Sequence, residues 1–258
     1  METKPFNGHI GVLSTNTLKL IAVLSMIIDH FGSIIMDGVM APYMIDGYLN
    51  FTTDMPWLVF NAVSIKNLCE ILGSIAFPIF CFMIAEGFIH THNKLKYGLR
   101  VGLFALISEI PFDLAHYGEL YNPGLQNVMF TLCISIFTLL AINLLEIIFS
   151  EKKALKWTLI VLSILAGMAL AFLAKGEYVF LGVLTISLLY LLRNTGWFRL
   201  LGLAPLIIVS PWTLLAALPI SMYSGKKGHG SKYFFYVFYP AHFLLFAWMA
   251  HMLSVRGV

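Results

Sequence analysis

Apolar stretches of about 20 residues, the length needed to cross a bilayer, recur along the chain at 18–36, 68–89, 99–114, 128–149, 155–173, 178–192, 198–220 and 234–253. The third and sixth of these, 99–114 and 178–192, are short. The pattern predicts an all-α fold, a polytopic transmembrane helical bundle of about eight spans. The stretch 198–220 contains Pro205, Pro211 and Pro219 and reads either as one kinked helix or as two short ones. The mixed region 37–67 sets Asp37, Asp46 and Asp54 among aromatic residues, which suits an interfacial loop or a short re-entrant helix. No stretch has the length and polarity of a separate soluble domain, so residues 1–258 read as a single integral membrane domain.

Composition makes lipid the solvent for most of the surface. Apolar residues are 59% of the 258 and charged residues 11%, against about 25% charged in a soluble domain; the mean hydropathy is +0.86. A net charge of +3 is too small to imply a nucleic-acid partner. The basic residues act instead as topology signals. Lys4 and Lys19, then Lys94, Lys96 and Arg100, then Lys152, Lys153 and Lys156, then Arg193 and Arg199 fall at alternate span boundaries, and the loops between are acidic or nearly neutral. This places the N-terminus in the cytoplasm. With eight simple spans, the loop of Lys226, Lys227 and Lys232 would fall on the other side; if the proline-rich segment folds back, that loop returns to the cytoplasm, and this is the arrangement expected.

The first apolar run is longer than a signal-peptide core and reads as a retained helix. Cys69, Cys81 and Cys133 have neither metal-ligand spacing nor an even count, and read as packed side chains. Asn50-Phe51-Thr52 matches a glycosylation triplet of a kind common by chance. No Walker loop, dinucleotide fingerprint, zinc-protease motif or nucleophile elbow occurs, which argues against an ATPase, a zinc protease and a serine hydrolase.

Ionisable side chains inside the spans cost about 2.5–3.5 kcal/mol each on insertion scales and turn toward the bundle interior. The candidates for buried chemistry are Asp29 and His30, Glu86, Glu109 and Asp113, and His242. Adjacent residues on a helix point about 100° apart, so Asp29 and His30 need partners on other helices. Two readings stay open for the cluster: His30 as a general base in a buried chamber, or a set of interhelical hydrogen bonds. The basic, glycine-containing loop 226–232 likewise suits phosphate binding or contact with anionic lipid.

Several blocks resemble the TraX family. Leu18-Lys19-Leu20-Ile21-Ala22 through Ile28-Asp29-His30-Phe31-Gly32 is similar to its first helix. Ala76-Phe77-Pro78, Ala85-Glu86-Gly87-Phe88 and His90-Thr91-His92-Asn93 follow in family order. So do Leu106-Ile107-Ser108-Glu109-Ile110-Pro111-Phe112-Asp113, Asn127-Val128-Met129-Phe130 and Phe238-Tyr239-Pro240-Ala241-His242. The segment 150–198 carries no family block.

The resemblance implies N-terminal acetylation of a conjugative pilin, with an acyl-CoA as donor. It also implies kinship with membrane-embedded acyltransferases in which an Arg, ten residues and a catalytic His lie in the first helix. Here Lys19 stands at the Arg position before His30, and an ammonium lacks the guanidinium's bidentate fork. On this footing His30 is the expected catalytic base, with Asp29, Glu86 or Asp113 orienting it. Acetyl-CoA is the expected donor, with its phosphates at Lys226, Lys227, Lys232, Lys19 and Arg100, and no metal is required. The acceptor would be a pilin or another envelope molecule at the bacterial cytoplasmic membrane. A proton-coupled transporter and a non-catalytic factor for appendage assembly would use the same buried polar groups.

Overall fold

The computed structural model describes residues 11–46, 48–50, 55–228 and 232–256. Lys4, Asp54, the Phe51 and Thr52 of the glycosylation triplet, and the Lys232 side chain lie outside what is described.

Helix α1, Thr15–His30, starts where the Ser14 hydroxyl accepts the Thr17 N–H at 3.2 Å. It runs on through a π-helical stretch, Phe31–Met36, into the short α2, Asp37–Met40, so Thr15–Tyr43 forms one continuous 29-residue span. The wider π turn begins directly after His30. There Gly32 lies against Cys69: a Cβ at Gly32 would stand 2.6 Å from the Cys69 Cβ.

A two-stranded hairpin, β1 Met44–Ile45 with β2 Tyr48–Leu49, precedes α3, Trp57–Gly73. Helix α3 therefore starts well before position 68, inside the region expected to be a loop or short re-entrant helix. The polar Lys66 and Asn67 had hidden this apolar run. Lys66 is neutralised by Asp37 of α2, with Nζ donating to both carboxylate oxygens at 2.6 and 2.8 Å. Only Ser74 and Ile75 separate α3 from α4, Ala76–His90, and Pro78 sits in the first turn of α4, where a missing N–H costs little.

Helix α5, Lys94–Tyr117, is capped by the Asn93 side chain and stops at Gly118, whose φ of +70° suits a left-handed cap. Helix α6, Val128–Ile148, starts at an Asn127 cap; α7 is Lys153–Leu173 and α8 is Val179–Leu191.

The proline-rich segment resolves the alternative left by the sequence. It forms a 3-10 helix, Gly196–Ile208, and then a second, Pro211–Ala216, which runs into the short α9, Ala217–Ser221. The chain folds back at Ser210 and returns to the start of α1. Leu13 N–H donates to the Met222 carbonyl, Thr15 N–H to Lys226 and Asn16 N–H to Lys227, at 3.0, 2.8 and 3.2 Å. The loop carrying Lys226 and Lys227 thus lies on the same face as the first turn of α1, as the folded-back arrangement requires. Helix α10, Lys232–Arg256, completes the fold.

Among the described residues, five helices are long and apolar enough to cross a membrane: Thr15–Tyr43, Trp57–His90, Val128–Ile148, Lys153–Leu173 and Phe234–Leu253. Val179–Leu191, Gly196–Ile208 and Pro211–Ser221 are shorter apolar helices. The protein is an all-α membrane bundle. Its outward surface is apolar, with Leu99, Leu103, Leu106 and Ile110 exposed along one side of α5, while Phe82, Phe88, Phe112 and Phe243 fill the interior.

Candidate functional site

Helix α10 packs against α5 and reaches the π-helical continuation of α1. This brings together three histidines separated widely in sequence. His30 closes α1, and its Nδ1 lies 2.9 Å from Nε2 of His242 on α10, with the rings stacked at 5.0 Å and 16°. His116 of α5 stands edge-on to His30, ring centres 5.9 Å apart. Phe112, Phe243 and Phe246 pack around them; Phe243 is 4.7 Å from the His30 ring. His30 is 8% and His242 4% exposed, so bulk water is largely excluded.

The hydrogen bonds fix a set of tautomers. The Phe238 carbonyl, 3.3 Å from His242 Nδ1, can only accept, so that nitrogen carries the proton. The Nε2 of neutral His242 then has a lone pair and accepts from His30 Nδ1–H. The remaining nitrogen, Nε2 of His30, has no hydrogen-bond partner among the described residues and keeps its lone pair. A partner on Nδ1 and a basic Nε2 is the arrangement in which a carboxylate orients a catalytic histidine; here a second histidine fills the orienting position.

The carboxylates expected to orient His30 have other surroundings, and none is hydrogen-bonded to it among the described residues. Asp29 points away, as adjacency on a helix demands, and packs against Gly73 on the wall of a separate cavity. Glu86 accepts from Arg199 Nη1 at 2.6 Å, with His90 3.4 Å away; the Arg199 and Glu86 side chains are 6% and 4% exposed. Asp113 accepts the Asn122 N–H at 2.8 Å through Oδ2. Glu109, one turn earlier, accepts from the Asn127 side chain at 2.5 Å and so braces the start of α6.

Three contributors are not evident from the apolar pattern. His116 lies just beyond the stretch ending at 114. Arg199 reads as a boundary charge, although its place inside the apolar stretch 198–220 was a signal that it needs a buried partner. Glu177 reads as a loop charge. Its loop is pinned to the α5–α6 connection by Gln126 N–H to the Lys175 carbonyl and Glu177 N–H to the Gln126 carbonyl, at 2.9 and 3.0 Å.

Burial, reinforced by the charges of Asp29 and Glu109 and opposed by the Val128 N–H, pushes the Glu177 carboxyl up from 4.5 to about 8. Between those values the folded chain holds a proton that the unfolded chain has released. This contribution to stability is complete below 4.5 and is lost as the pH rises toward about 8. Glu177→Gln is expected to flatten the fall in melting temperature across that window; an unchanged slope would show that Glu177 does not contribute to it.

The cationic residues gather at the face where α1 begins. Lys226 and Lys227 accept the first N–H groups of α1 through their carbonyls. Lys19 lies within electrostatic range of Lys227, with its Nζ 5.2 Å from the Phe235 ring centre. Arg100 of α5 faces the Tyr236 hydroxyl in the first turns of α10. Eleven positions separate Lys19 from His30. On an α-helix that is three turns plus about 20°, so the two share one side of α1 about 16 Å apart along the axis.

No solved structure matches the chain. Among curated proteins, a Dichelobacter nodosus protein named "Probable fimbrial assembly protein FimC, serogroup H1" is 26% identical over 247 residues, covering 88% of this chain and 92% of that protein. The profile of the family described as TraX protein matches residues 14–250, nearly the whole described bundle, and the chain accordingly belongs to the TraX family.

Proposed function

We propose that the protein is an acyl-CoA-dependent acetyltransferase of the bacterial cytoplasmic membrane, acting on an amine or hydroxyl of a pilin or other envelope molecule. The observation that carries this reading is the Nε2 of His30, which has no hydrogen-bond partner among the described residues and is held nearly out of water beside Phe243 and Phe246, three helical turns from a cluster of cations on the same side of α1. In this reading the CoA phosphates bind Lys226, Lys227, Lys19 and Arg100, with Lys232 as a further candidate. The pantetheine arm follows α1 inward and brings the thioester carbonyl to His30.

The acceptor N–H or O–H gives its proton to His30 Nε2 as its heteroatom bonds to the thioester carbon. The C–S bond then breaks. The sulfur leaves as a thiolate and takes up a proton from the imidazolium. His242 Nε2 holds His30 Nδ1–H throughout and stabilises the imidazolium while it exists. The other route, transfer of the acetyl group to His30 Nε2 before the acceptor attacks, uses the same free nitrogen.

Saturable binding of radiolabelled acetyl-CoA to the purified protein in detergent tests the reading. Wild type is expected to bind, and a Lys226→Ala/Lys227→Ala variant to bind about tenfold or more weakly, since charge-assisted contacts to phosphate contribute roughly 1.5–3 kcal/mol each. Raising the salt concentration should narrow the difference. The absence of saturable binding by folded protein would reject the enzyme reading. A non-catalytic role in assembling surface appendages would then stand, a reading supported by the name of the fimbrial relative.

A further inference from the structure

On the side of α1 away from His30, Asp29 and Glu70 share a partly open cavity of about 540 Å3, within the range usual for small-molecule sites. Asn67 of α3 and Ser210 at the turn of the folded-back segment add polar groups, and Tyr178 and Trp212 add aromatic walls. Tyr178 is held in place by stacking on Phe77, with ring centres 3.6 Å apart.

The charge in this cavity is unbalanced. Neither Asp29 nor Glu70 has a cationic partner among the described residues, and each lies in the other's field. Lys66, one turn before Glu70, is occupied by both oxygens of Asp37. Like charges sharing a partly enclosed site favour either proton uptake or a bound cation. No group of three metal-ligating side chains converges among the described residues. The space is also large for a bare ion, and its aromatic walls suit a cation with an apolar body, because aromatic faces attract alkylated ammonium groups.

We propose that this cavity binds an organic ammonium group, with Asp29 and Glu70 as counter-charges and Tyr178 and Trp212 as walls. Membrane lipid headgroups and free amines both carry that chemistry. The cavity lining does not include His30, His116 or His242, and the proposal does not depend on acetyl transfer.

Isothermal titration of the detergent-purified full chain tests it with four probes: choline, ethanolamine, dioctanoyl phosphatidylcholine and dioctanoyl phosphatidylethanolamine. At least one should bind saturably, while the neutral tert-butyl analogue of choline should not. Glu70→Gln and Asp29→Asn, which keep shape and remove charge, should each weaken binding about tenfold. Trp212→Phe should weaken it less, since an aromatic face remains. Binding by the lipid probes alone assigns the site to a bilayer headgroup; equal binding by the free amines assigns it to a soluble ligand. The proposal is overturned if no probe binds protein with wild-type melting behaviour. It is equally overturned if the neutral analogue binds as tightly, or if both charge-removing variants keep full affinity.

Discussion

His30→Ala is expected to lower acetyl transfer by about 10²–10⁴-fold, the usual contribution of a positioned general base, while the folded protein still binds acetyl-CoA and its melting temperature falls through the lost packing and the unpaired His242 Nε2. Binding should survive because the cations assigned to the CoA phosphates lie about three turns away along α1. His242 allows a finer test. His242→Gln keeps an acceptor that can reach His30 Nδ1–H, whereas His242→Phe keeps the ring stacking and removes the acceptor. If His242 orients His30 and stabilises its charged form, the Phe variant should lose most activity and the Gln variant much less. The pH profile should also shift in the Phe variant, since the imidazolium of His30 has lost its partner. Full activity in both variants would mean that the 2.9 Å contact is packing alone. Full activity in His30→Ala would remove the base assignment.

Arg199→Met is expected to destabilise the protein by about 3–5 kcal/mol, because it leaves buried Glu86 with only the more exposed His90 beside it. Glu86→Gln should cost a comparable amount by stranding Arg199. The double variant, with both charges removed, should recover much of the loss, as neutral replacements of buried ion pairs often do. Thermal melting of the solubilised protein reads this directly. The same variants separate a structural Glu86 from a catalytic one. With a structural Glu86, the double variant should transfer acetyl at a rate that follows its recovered stability. A stable but inactive double variant would place Glu86 back in the chemistry. The geometry favours structure: Arg199 Nη1 lies 2.6 Å from Glu86, its Nε donates to the Leu189 carbonyl at 3.0 Å, and its guanidinium sits 4.6 Å from the Phe82 ring centre. This pair locks the folded-back segment to α4.

Those two sets of variants probe residues whose roles were unequally legible. His30 stood out as an imidazole in an apolar stretch, and the resemblance to the TraX family singled it out by its place eleven positions after Lys19. Its orienting group was not legible, because the nearest carboxylate in sequence, Asp29, is turned away by the 100° step of the helix. The partner comes instead from α10, 212 positions away. Arg199 and Glu177 carried charges that a topology rule explained well enough to mask their buried partners.

The sequence by itself determined the solvent and the fold class, because hydropathy acts residue by residue on transfer into lipid. It also marked His30 as a buried polar group and 198–220 as a stretch whose prolines cannot continue a straight helix, leaving open whether it kinks or splits. Only the tertiary structure decided which polar groups meet. Pairing His30 with His242, Glu86 with Arg199 and Lys66 with Asp37 depends on how helices distant in sequence pack, and buried polar groups are satisfied by whatever partner that packing delivers.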